Sequence, residues 1–100
     1  MPNRAPISSN AITSSAAVAT VGVILYDITL QVGTTQSIAS IRNGGSTGTI
    51  AWEISNVAAT TAKDTTVSKH FPKGLVLASG LYVTISGTNA QAWVTYENLQ

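Results

Sequence analysis

The sequence predicts an all-β protein: an antiparallel β-sandwich, jelly-roll-like, with about eight short strands. Three observations predict it. Apolar residues alternate with polar ones through Leu81, Val83 and Ile85, and again through Ala92, Val94 and Tyr96. That period of two is the mark of a half-buried strand. Turn-forming clusters interrupt the chain every eight to twelve residues or so, among them Asn43-Gly44-Gly45-Ser46-Thr47-Gly48, Pro72-Lys73-Gly74, Ser79-Gly80 and Gly87-Thr88-Asn89-Ala90. Finally, the apolar stretches are rich in β-branched residues (Val18, Thr20, Val21, Val23, Ile24), which lose rotamer freedom in a helix and pack well in a strand. Folding about eight such strands into two packed sheets also limits the number of open edges.

Taken in order, residues 1–16 are expected to form an extended N-terminal arm, and residues 17–100 the sandwich domain. The arm carries two prolines, many Ser, Asn and Thr residues, and Ile7 and Ile12 as its large apolar residues after Met1. Nothing in it is periodic, so it reads either as a tail or as an arm anchored on a neighbouring subunit through Ile7 and Ile12. Residues 17–32 read as the first long strand region. Ile24, Tyr26, Ile28 and Leu30 are placed inward there, and Leu25, Asp27, Thr29 and Gln31 outward. The stretch Gly33-Thr34-Thr35 ends it.

A short strand follows over residues 37–41, where the odd spacing of Ile38 and Ile41 suggests a bulge or an end. Ile50, Trp52 and Ile54 alternate with Ala51, Glu53 and Ser55, which puts Trp52 in the core and Glu53 in solvent. Residues 58–64 are small and polar and read as a loop. Residues 65–71 form a further strand with Val67, Lys69 and Phe71 on one side. The expected core is Ile24, Tyr26, Ile28, Leu30, Ile50, Trp52, Ile54, Phe71, Leu81, Val83, Ile85 and Val94.

Composition restricts function more than it defines it. Charged residues are 9% of the 100 residues and the net charge is +1, whereas roughly 25% charged is usual. A surface so poor in charge suits a protein covered by copies of itself or by a larger assembly. The five basic residues Arg4, Arg42, Lys63, Lys69 and Lys73 are scattered, which argues against nucleic acid as a partner. The apolar run over residues 16–26 is broken by Thr20 and Gly22 and falls short of the ~20 residues a membrane helix needs. No membrane partner is expected, and no signal peptide is read, so the mature chain is expected to begin near Met1 or Pro2. There is no cysteine, which removes thiolate catalysis and cysteine-based zinc sites.

Catalytic readings are weak. His70, Ser68 and Asp64 offer the residue types of a nucleophilic triad, but three neighbours in one polar stretch do not supply its geometry. Asp27 and Glu53 could act as an acid–base pair only if their strands were adjacent. No catalytic, metal or cofactor site is expected, and the protein is read as a non-enzyme. The outward aromatics Tyr82 and Trp93 are candidate interface residues together with Ile7 and Ile12, because an aromatic on a low-charge β surface can anchor a subunit or stack on a sugar.

Several of these pieces together resemble small structural proteins of tailed bacteriophages. They are Val23-Ile24-Leu25-Tyr26 opening a strand that ends at Gly33, Gly48-Thr49-Ile50 after a Gly/Ser turn, and Phe71-Pro72-Lys73-Gly74-Leu75 leading into Ser79-Gly80-Leu81-Tyr82-Val83-Thr84-Ile85-Ser86-Gly87-Thr88, then Val94-Thr95-Tyr96. The resemblance spans roughly residues 21–97. It implies a TNF-like jelly roll and a role as a capsid decoration (cement) protein: a homotrimer on the virion surface, assembled in the host bacterial cytoplasm and bound to the major capsid protein. The alternative it leaves open is a tail, fibre or spike module that binds a host receptor or glycan. The group carries no catalytic residues to transfer.

Overall fold

The computed structural model describes residues 6–32, 36–56 and 66–99, which form eight strands and, among the described residues, no helix. The strands are β1 (Ile7–Ser8), β2 (Ala16–Ala19), β3 (Val23–Gln31), β4 (Ser37–Asn43), β5 (Thr49–Asn56), β6 (Thr66–Leu77), β7 (Leu81–Ser86) and β8 (Gln91–Asn98). They build two four-stranded antiparallel sheets, ordered β1-β8-β3-β6 and β2-β7-β4-β5. In this arrangement β1 pairs with β8, β2 with β7, β3 with β6 and β4 with β5. That is one long hairpin rolled up, the winding of a jelly roll. The expected turn at Gly33-Thr34-Thr35 and the expected loop at residues 58–64 lie outside the described residues.

The region expected to be one strand over residues 17–32 is two. Thr20, Val21 and Gly22 carry the chain from β2 in one sheet to β3 in the other. Gly22 allows this crossing because a Cβ there would lie 2.8 Å from the Ala78 carbonyl oxygen. At the other end of the same turn region, Gly80 has φ +121°, and its missing Cβ would lie 2.7 Å from the Ala19 carbonyl oxygen. Both the handedness and the close approach of backbone exclude a side chain there.

The core lies between the sheets. It consists of Val23, Leu25, Ile28 and Leu30 on β3, Ala39 and Ile41 on β4, Leu77, Leu81 and Val83, and Ala90, Ala92 and Val94, with Ile12 joining them. Ile28, Leu30, Leu81, Val83 and Val94 sit where the alternation put them. Ile54, Phe71 and Ile85 are partly buried against the core.

Four expected core residues are not in it. Ile24 and Tyr26 lie in β3 ahead of a β-bulge: Leu25 pairs with Tyr96 but Asp27 pairs with Thr95, so Tyr26 is an extra residue on β3. A bulge reverses the alternation. Val23 and Leu25 therefore point inward before it and Ile28 and Leu30 after it. Ile50 and Trp52 are 44% and 38% exposed because β5 is the outer strand of its sheet. A second register shift falls there, between Ile41–Trp52 and Arg42–Ile50. It puts Ile50 on the outward side with Arg42 and leaves Trp52 beside the core but at its rim.

The expected arm is, from Ile7 on, part of the sandwich. β1 is the outer strand of one sheet and β2 of the other, and between them Ile12 is 8% exposed and exchanges both backbone hydrogen bonds with Ala92 at 2.8 and 3.0 Å. Where the pairing stops, serine side chains complete it: Ser9 Oγ accepts from the Val94 N–H and Ser15 Oγ from the Ile85 N–H, each at 3.0 Å. Residues 1–5 lie outside the described residues.

Candidate functional site

The sandwich presents two broad outer faces, and the sequence-predicted residues divide between them. On the β2-β7-β4-β5 sheet, Leu81, Val83, Ala39 and Ile41 point inward, so Tyr82, Thr84, Ile38, Ser40 and Arg42 point outward. On the β1-β8-β3-β6 sheet, Ala92 and Val94 are buried, and Trp93 and Thr95 face solvent with Thr29 and Asp27 of β3 opposite them. Tyr82 and Trp93 are both half-buried, and they belong to opposite sides of the molecule. They cannot form a single aromatic platform.

Ile7 and Ile12 are also separated in role. Ile12 packs into the core of its own chain, which removes it as an anchor on a neighbour. Ile7 is 39% exposed on β1, opposite Tyr96. Asp27 and Glu53 lie on different sheets, so no acid–base pair forms between them. Glu53 instead accepts a hydrogen bond from the Ser40 hydroxyl at 2.8 Å.

His70 does have a carboxylate partner. Its Nδ1 lies 2.6 Å from Asp27 Oδ1, across the β3–β6 pairing that sets these two residues side by side. Asp64, the acid nearest in sequence, lies outside the described residues. Ser68 shares the outward side of β6 with His70 two residues away, but no hydrogen bond joins it to the imidazole among the described residues. The pair is open to water, with the His70 and Asp27 side chains 64% and 44% exposed, and an exposed pair of this kind adds little to stability. Among the described residues no cluster of three or more His, Asp or Glu side chains converges as a metal site would require.

The partners of His70 were not legible from the sequence, because Asp27 is distant along the chain and becomes a neighbour only through the register of β3 with β6. Between Leu25–Leu75 and Asp27–His70 that register skips residues 71–74 of β6. This is the Phe-Pro-Lys-Gly stretch, an irregularity within β6 whose Phe71 packs against the core. It ends at Gly74, which has φ +80° and is packed over Ile24 and Tyr26.

At the β5–β6 edge the two sheets are closed by rings. Trp52 meets Phe71 edge to face at 5.5 Å and 89°, and the Lys69 ammonium lies 5.3 Å from the Trp52 ring centre and 5.7 Å from that of Phe71. A cation over an aromatic face contributes about 0.5–1 kcal/mol at an exposed site, so this cluster is a lid on the core. At the opposite edge, residues 8–14, residues 16–18 and Tyr96 border an open cleft of about 460 Å³ with no charged residue in its lining. Comparison of the chain with protein-family models, with curated proteins and with solved structures finds no match.

Proposed function

We propose that the chain is a non-enzymatic structural protein of a tailed-bacteriophage virion: a homotrimeric decoration protein that binds the major capsid protein on the outside of the shell and stabilises it. One observation carries this reading. The β2-β7-β4-β5 sheet of the jelly roll carries two charged side chains in its strands, Arg42 and Glu53. There Arg42 Nη1 donates to the Gly48 carbonyl at 2.8 Å while its Nε has no partner among the described residues, and Glu53 accepts from Ser40. Burying such a face against another subunit desolvates few free charges, and charge depletion is what the centre of a protein interface shows.

The same face carries apolar groups that a partner would cover: Ile38 and Tyr82, both half-buried, and Ile50. We assign self-association to it. The resemblance to phage decoration proteins supplies the role, and the low charge content agrees with a chain that works inside an assembly.

Native mass spectrometry of the purified protein tests the self-association. The expected species is a trimer, and Tyr82→Asp is expected to give folded monomers, with folding checked by circular dichroism. A wild-type monomer would remove the trimer from the proposal. A variant that remains trimeric would place the interface on another surface.

A further inference from the structure

The outer face of the β1-β8-β3-β6 sheet differs in chemistry from the face assigned to self-association. Its cross-strand rows read Gln91–Gln31–Thr66, then Trp93–Thr29–Ser68, then Thr95–Asp27–His70. Trp93 stands half-buried amid hydroxyl and amide groups, and neither its indole N–H nor the side chains of Thr29, Gln91 and Thr95 bond to another described residue. The carboxylate is different: one Asp27 oxygen is held by His70 at 2.6 Å, and the other has no protein partner among the described residues.

We propose that this face binds a neutral oligosaccharide or polysaccharide, with the Trp93 indole as the stacking platform and Asp27, oriented by His70, as the principal hydrogen-bond acceptor. The apolar C–H side of a pyranose ring covers an aromatic face, while its hydroxyls need fixed polar partners at the rim. Trp93 and Asp27 are diagonal cross-strand neighbours, ~7–8 Å apart by ordinary sheet geometry, close enough for one sugar stacked on the indole to turn a hydroxyl toward the carboxylate. The bond to His70 fixes the carboxylate before the ligand arrives, so less side-chain freedom is lost on binding.

Charge selects among ligand classes. Neither β3 nor β8, the strands that carry Trp93 and Asp27, contains Lys or Arg, while they carry Asp27 and Glu97. The lysines of this sheet are on the edge strand β6, where Lys69 lies over the Trp52 and Phe71 rings and Lys73 falls in the 71–74 stretch beyond His70. An anionic ligand on Trp93 therefore meets the Asp27 carboxylate before any lysine. A protein partner would need an apolar centre, and the outward apolar residues Ile24 and Val76 lie at the far side of Asp27 from Trp93. This site goes beyond the decoration role and does not depend on it, since attachment to a shell requires no sugar.

The two tryptophans make the test specific, because each gives its own indole N–H resonance in a nitrogen-labelled sample. Purified protein is titrated with cello-, malto-, xylo-, manno- and chito-oligosaccharides. At least one series is expected to move the Trp93 resonance saturably while that of Trp52 stays in place. Trp93→Ala should abolish binding, and Asp27→Ala should weaken it about tenfold, with both variants keeping dispersed, folded spectra. Silence of Trp93 toward every series would overturn the site. So would a ligand that moves Trp52 instead, or one whose affinity is unchanged in Asp27→Ala.

Discussion

Deletion of residues 1–15 is expected to unfold the sandwich. The deletion removes β1, the buried Ile12 side chain, the paired hydrogen bonds between Ile12 and Ala92, and the serine hydroxyls that complete β8 and β7 at Val94 and Ile85. Burial of one isoleucine is worth about 1.5–3 kcal/mol, and each net hydrogen bond about 1 kcal/mol. The sum is comparable with the 5–15 kcal/mol or so that stabilises an ordinary domain. It also bares the edge of β8, a template for aggregation. Urea titration of the truncated chain should show a lost or strongly lowered transition, and Ile12→Ala should reproduce part of the loss in the full chain. A truncated protein as stable as the intact one would mean that the segment is an accessory arm, as the unpatterned sequence suggests.

The second large effect separates two neighbours in β3. Leu25→Ala is expected to cost about 2–5 kcal/mol, the range for deleting a large buried side chain, because Leu25 is fully buried between the sheets. Ile24→Ala should cost about 1 kcal/mol, since Ile24 is half-buried on the outer face beneath Gly74. Paired denaturation curves decide it. A larger loss at Ile24 than at Leu25 would contradict the bulge at Tyr26 and restore the uninterrupted alternation.

That comparison also shows where the sequence could and could not be read. In β7 and β8 apolar and polar residues alternate cleanly, so strand and inward face are both legible. In Val23-Ile24-Leu25-Tyr26 all four residues are apolar, so no alternation marks which side is inward, and a bulge leaves no trace in composition. Thr20 and Gly22 mark a break in the apolar run, but nothing local says that the chain changes sheets there. β5 alternates as a buried-face strand does, yet its place at the rim exposes Ile50 and Trp52. Edge position is a property of topology, which the local pattern does not carry. Ile12 was hidden for the converse reason: a single apolar residue among serines and asparagines looks like a tail until β8 is beside it.

The outer-face chemistry was partly visible. Trp93 was readable as outward from the burial of its neighbours in the alternation. Its companions Asp27 and His70 were not, because they meet through a register that the irregularity at residues 71–74 displaces. The separation of Tyr82 from Trp93 onto opposite faces likewise follows from the rolled-up strand order alone. That separation is why the two aromatics carry different proposals: Tyr82 contact between copies, Trp93 a ligand.

The central claim, that the chain decorates a phage shell, is tested most directly by its copy number in purified virions relative to the major capsid protein, measured by quantitative mass spectrometry. The account predicts about one copy per capsid subunit. A few dozen copies or fewer per virion would contradict a decoration role and place the chain at the tail, neck or a fibre; complete absence would remove it from the virion.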